Sequence, residues 1–126
     1  MKQKVFSDEV FIVDCYAICG TREEAQEFLN KKKVDYTLGG NGCCLALPNN
    51  EGFVLWLEHS DDFYVLMHET LHLVVGAFEA KGINVNLANE EEVVAYYQAY
   101  WFRKLWRWFG NLKLPTKATL NPKEGE

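Results

Sequence analysis

Five residues near the middle of the chain, His68-Glu69-Thr70-Leu71-His72, leave it the least structural freedom. They form an HExxH pattern, which has chemical meaning only on a helix. The flanking residues supply one. Ser60 can cap it, Asp61 and Asp62 suit its first turn, and Gly82 is a good stop after Lys81. At about 1.5 Å of rise per residue the two imidazoles stand about 6 Å apart along the axis, on one face. Both can then reach one Zn²⁺ at roughly 2.0–2.1 Å. Glu69 lies next to His68 around the helix, where it reaches a water on the metal without being a ligand itself. Zinc lowers the pKa of such a water to about 7, and the Glu accepts its proton as it attacks a carbonyl. The competing reading is that two of the three histidines fall at this spacing as ordinary core or surface side chains. The helical setting and an available third donor both favour the metal.

A catalytic zinc takes three protein ligands. His59 is the remaining histidine, but it closes an expected strand just before the helix cap and reads as a surface residue. The longer HExxHxxGxxH pattern is absent, because Gly76 comes four residues after His72 and no third histidine follows. The third donor is therefore a carboxylate. Glu90, Glu91 and Glu92 open the last helix. Acids are expected at a helix start in any case, and Asn89…Glu92 is itself a capping-box-like pair. Glu92 is followed by Val93-Val94-Ala95-Tyr96, and a two-helix hairpin would return it beside the first helix.

The first half of the chain reads as strands around one helix. Val10–Tyr16 is β-branched and apolar, hence a strand. Thr21-Arg22-Glu23-Glu24 has capping-box form and starts a helix to about Lys32 that buries Ala25, Phe28 and Leu29. Val34–Thr37 suggests a short strand, and Gly39-Gly40-Asn41-Gly42 a turn. Cys43–Leu47 and Phe53–His59 read as two strands joined by a hairpin loop at Pro48–Gly52. After the HExxH helix, Gly82–Ala88 is an extended link, and Asn89 caps a helix from Glu90 to about Phe109.

At 126 residues and 48% hydrophobic, the chain is sized for one domain with a true core, which excludes disorder for most of it. Residues 1–114 are expected to form that domain and 115–126 a flexible polar tail. The longest apolar stretches, such as Phe63–Met67 and Leu71–Phe78, fall far short of the roughly 18–20 residues of a membrane span. Met1–Lys4 is followed at once by Ser7-Asp8-Glu9, which breaks any signal-peptide core, so a cytoplasmic location is expected. Cys15, Cys19, Cys43 and Cys44 make no spaced CxxC pair and read as free thiols rather than zinc ligands. The net charge of −5 is unevenly spread. No Lys or Arg occurs between Lys33 and Lys81, whereas Arg103, Lys104 and Arg107 begin a basic C-terminal region. Nucleic acid is therefore a disfavoured partner.

HExxH followed by a Glu on a downstream helix resembles the gluzincin zinc metallopeptidases, and the spacing to Glu92 is like that of their thermolysin-type members. The fuller pattern HETLH…KGINVN…NEEEVVAYYQAYW is similar to small metallopeptidase-like proteins encoded by phages and prophages. The resemblance covers about Asp61–Trp106, and only the HExxH and the Glu in it are specific. It implies an α+β, minimal zincin-like domain, a small mixed or antiparallel sheet packed on the HExxH helix and a second long helix. It implies zinc on His68, His72 and Glu92, with Glu69 as general base. It also implies an edge strand, Phe53–His59, that receives an extended peptide by strand addition. Unlike the larger enzymes, this chain lacks their C-terminal subdomain and any separate His or Tyr motif for an oxyanion. Tyr96, Tyr97 and Tyr100 are near in sequence, with core packing expected for at least two of them.

Ala95–Phe109 is strongly aromatic. Tyr97, Trp101, Leu105 and Trp108 form one stripe, and Phe102, Trp106 and Phe109 form its neighbour. This broad face is expected to cover the HExxH helix and the sheet. Exposed rings with Arg103, Lys104 and Arg107 would instead make a docking face. Three readings follow. The first is a zinc-dependent hydrolase acting on a peptide or protein, in a host cytoplasm if phage-encoded. The second is a catalytically inactive zinc-binding protein that engages a host factor. The third, ranked last, is a nucleic-acid-associated protein using its basic C-terminus.

Overall fold

The computed structural model describes residues 1–112. Within them lie strands β1 (Lys2–Ser7) and β2 (Asp14–Cys19), helix α1 (Arg22–Lys31), strands β3 (Gly42–Ala46) and β4 (Phe53–Leu57), and helices α2 (Phe63–Ala80) and α3 (Leu87–Gly110). A single 3-10 turn, Pro48–Asn50, joins β3 to β4. The fold is a small α+β one. Its four-stranded sheet has the order β1-β2-β4-β3 and is mixed, because β2 and β4 are parallel and the two outer pairings antiparallel.

The two inner strands are covered on both faces, so they read as near-continuous apolar runs rather than alternating ones. Ile18 of β2 and Val54 and Trp56 of β4 face α1, where they meet Ala25 and Leu29. Cys15, Ala17, Leu55 and Leu57 point the other way, against Leu66, Leu73 and Ala77 of α2 and Trp101 and Leu105 of α3. The helices α2 and α3 form an antiparallel hairpin. Phe78, late in α2, lies 5.5 Å from the Tyr97 ring, and Phe63, early in α2, lies 5.4 Å from both Phe102 and Trp106.

Local signals set several boundaries as expected. Thr21 and Glu24 form the capping box, with Glu24 N–H donating to Thr21 Oγ1 at 3.1 Å and Thr21 N–H to Glu24 Oε1 at 2.9 Å. Gly82 ends α2 with paired bonds, its own N–H to the Glu79 carbonyl and that of Ile83 to the Phe78 carbonyl, both 2.9 Å. The turn before β3 and the β3–β4 hairpin are also where the sequence puts them.

Other expectations need correction. Val10–Tyr16 is not one strand. Val10–Val13 belongs to a loop organised by the buried Asp8, which accepts from the Phe11 and Val13 N–H groups and from the Tyr97 hydroxyl. In that loop Phe11 packs on Phe78 and Tyr97, while Val10 and Ile12 stay exposed. The strand that precedes it, β1, has no apolar period to announce it. Val34–Thr37 forms no strand. The cap of α2 is Asp62, whose side chain accepts from Val65 N–H at 3.2 Å, and not Ser60, which is buried ahead of it. The last helix starts at Leu87 and departs from helical geometry at Glu90 (φ −111, ψ 17), rather than starting at Glu90 behind an Asn89 cap. Phe53–His59 does not supply an edge strand either. Its core, β4, pairs on both sides, and the free edge beside α2 belongs to β3. No described helix is long and apolar enough to cross a membrane. The tail expected at 115–126 lies outside the described residues.

Candidate metal centre

On α2, Leu66, Thr70, Leu73, Val74 and Ala77 are buried at helical spacing, and this fixes which way the HExxH residues point. His68 and His72 emerge on the exposed side, while Glu69 turns inward and is 8% exposed. The two Nε2 atoms stand 3.2 Å apart. Two nitrogens each about 2.05 Å from a tetrahedral ion would be about 3.3 Å apart, so this pair fits a zinc ion with little adjustment. One ligand atom from each of His68, Glu69 and His72 falls within 4.8 Å of the others.

Glu69 sits between the helix and the free edge of the sheet. Burial raises its carboxyl above the usual carboxylate range, against the pull of His68, His72 and a hydrogen bond from the Cys44 backbone N–H. A carboxylate with a raised pKa is better matched to proton transfer near neutral pH. The edge approaches α2 this closely because residue 42 is glycine, since a Cβ there would run into the Val65 side chain. A cavity of about 340 Å³ opens beside His68, lined by Gly40, Asn41, Gly42, Tyr64, Val65, His68 and Glu69.

The structure does not bring Glu92 into this group. It is exposed on α3, on the side of the helix away from the buried row Val94, Tyr97 and Trp101. Glu90 turns back to accept from the Asn86 N–H at 3.1 Å, and Glu91 is exposed. His59 is partly buried rather than a surface residue, with Nε2 3.5 Å from Glu58 Oε1. Among the tyrosines, Tyr97 is buried on Asp8 and Tyr100 stacks on Tyr97, whereas Tyr96 is exposed. All four cysteines are free. Burial pushes the Cys19 thiol up to about 11 and that of Cys43 to about 12, and it raises Cys15 and Cys44 as well. None of them belongs to the His68–Glu69–His72 group.

Three contributors to the site were not evident from the sequence: the Cys44 amide, the glycine-rich wall at Gly40–Gly42, and Tyr64. Tyr64 alone had a usable signal, lying one helical turn before His68. No family model matches the chain, and no curated protein or solved structure matches it.

Proposed function

We propose that the chain is a zinc-dependent hydrolase, a minimal metallopeptidase acting on a peptide or protein. The observation that carries this reading is the 3.2 Å approach of the His68 and His72 Nε2 atoms beside a buried Glu69. A zinc ion held there supplies a Lewis acid that acidifies water and polarises a scissile carbonyl. His68 and His72 hold it. Glu69, its pKa raised by burial, takes a proton at its carboxylate and later returns it to the leaving amine. The Cys44 amide fixes the carboxylate against the sheet edge. The free edge of β3 offers main-chain groups to an extended peptide beside the site.

The gluzincin likeness gives Glu92 the third ligand position. Where it stands, exposed on the outer side of α3, it is outside the His68–Glu69–His72 group. Zinc affinity decides between two forms of the proposal. A loss in Glu92→Ala comparable with that in His72→Ala means that α3 rearranges on loading. Retention means that water and substrate complete the sphere.

Metal analysis of protein purified without a histidine tag tests the reading. Near-stoichiometric zinc is expected, lost in His72→Ala. Glu69→Gln keeps the zinc and abolishes cleavage of a proteome-derived peptide library. Metal-free wild type after exposure to zinc, or undiminished turnover in Glu69→Gln, overturns it. Zinc retention with no cleavage by the wild type moves the assignment to a zinc-binding interaction protein.

A further inference from the structure

An aromatic cluster lies at the end of the α2–α3 hairpin remote from its connection, and of its rings only Tyr64 borders the metal centre. Phe63 is 43% exposed, Tyr64 85% and Trp106 37%. Phe63 sits edge-on to Tyr64, Phe102 and Trp106 at 6.0, 5.4 and 5.4 Å, and Phe102 and Trp106 lie parallel at 6.2 Å. The rings hold one another in place, so little side-chain freedom remains to be lost when a partner covers them. Exposed rings gathered this way mark binding surfaces, whereas isolated ones do not.

The charges beside the rings are specific. Arg103 lies three residues before Trp106 and four before Arg107, so its guanidinium borders both on the helix surface. Arg103 and Arg107 are exposed, and neither has an ion-pair partner among the described residues. Lys104 is used internally: its Nζ donates to the Ser7 carbonyl at 2.9 Å and lies 4.5 Å from the Tyr100 ring centroid. Of the three cations of α3, the two left over are those beside the rings. Among the described residues of α3 this positive strip is two guanidiniums wide. No Lys or Arg occurs between Lys33 and Lys81, and the chain as a whole carries a net charge of −5. A continuous polyanion, whether nucleic acid or an anionic bilayer, would extend from the strip onto a predominantly acidic chain. A peptide can instead place single carboxylates on the guanidiniums and apolar side chains on the rings.

We propose that Phe63, Tyr64, Phe102 and Trp106, with Arg103 and Arg107, form a docking site for a polypeptide segment that carries acidic residues beside aromatic or aliphatic ones. The docking does not depend on a metal. Because Tyr64 also lines the cavity at His68, a segment held there is directed toward the metal centre.

Selection of displayed random dodecapeptides on the full chain in EDTA tests this. The expected peptides combine Asp or Glu with aromatic or aliphatic residues. Their affinity falls at least about tenfold, roughly 1.4 kcal/mol, in the Arg103→Glu/Arg107→Glu variant and in Trp106→Ala, with unchanged circular dichroism. No selected peptides, peptides without an acidic bias, or equal binding by the folded variants overturns the proposal. So does tighter binding of oligothymidylate, or of phosphatidylserine–phosphatidylcholine vesicles, through the same residues. Since zinc is stripped throughout, a failed hydrolase reading leaves this result standing, and the reverse also holds.

Discussion

The sheet is closed by different means on its two faces. On one, α1 is the single helix over Ile18, Val54 and Trp56, packing through Ala25 and Leu29 beside the loop residues Leu38 and Leu47, and its start is fixed by residues three apart in sequence. On the other, α2 and α3 share the cover, and contacts far apart in sequence hold them in place. Tyr97 reaches Asp8, Lys104 reaches Ser7, and Phe63 meets Trp106. The face built from local signals leaves little exposed chemistry. The face built from long-range contacts carries both the histidine pair and the ring cluster. Where tertiary contacts hold a helix, its outward residues are free for binding.

The sharpest test of that contrast compares two tryptophans of α3. Trp101 is fully buried in the core, whereas Trp106 belongs to the exposed cluster. Trp101→Ala is expected to destabilise the fold by about 3–5 kcal/mol in urea unfolding, through lost burial and a residual cavity. Trp106→Ala should cost under about 1 kcal/mol. Equal costs would mean that the cluster is core, and the division of labour on this face would be lost.

A smaller effect is expected at the Asp8 loop. The Tyr97 hydroxyl donates to Asp8 Oδ2 at 2.7 Å in a buried setting, tying the loop before β2 to α3. Tyr97→Phe removes that donor and keeps the ring packing on Phe11 and Phe78. The expected cost is about 1–3 kcal/mol, with faster amide exchange in residues 8–13. Unchanged stability and exchange would show that the loop is held by Phe11 alone.

The same contrast explains what the sequence revealed. The HExxH geometry was legible because three residues on one helix need only helical spacing to converge. The capping box was legible for the same reason. β1 was not, because Lys2, Gln3 and Lys4 are exposed and show no period. What makes it a strand is pairing with β2 and the packing of Phe6 on Trp108. Val10–Val13 misleads because β-branched residues usually mark strands, yet here Asp8 bends them into a loop with Ile12 at φ +55. The edge of the sheet is not legible in the sequence because strand order is non-local: β4 inserts between β2 and β3. Glu92 illustrates the limit of spacing. Its distance from His72 along the chain says nothing about which side of α3 faces α2, and the apolar row Val94, Tyr97 and Trp101 decides that instead.

The weakest expected effect lies on the α1 face, where the local argument can be tested by itself. Thr21→Ala removes the acceptor of the Glu24 N–H and should cost about 1 kcal/mol. Glu24 adds a pH dependence. Its carboxyl is held below the usual range first by the Thr21 backbone N–H and then by the N-terminal ammonium, which it meets at 2.9 Å. A lowered folded-state pKa means that its contribution is complete above the unfolded value of about 4.3 and fades as pH falls through the lower folded one. Glu24→Gln keeps an acceptor for Thr21 but not the charge. Wild type should therefore exceed Glu24→Gln in stability at neutral pH, with the difference shrinking to nothing in acid. A difference that persists in acid would mean that the charge is not what Glu24 contributes, and that the start of α1 is held by packing, like the helices on the other face.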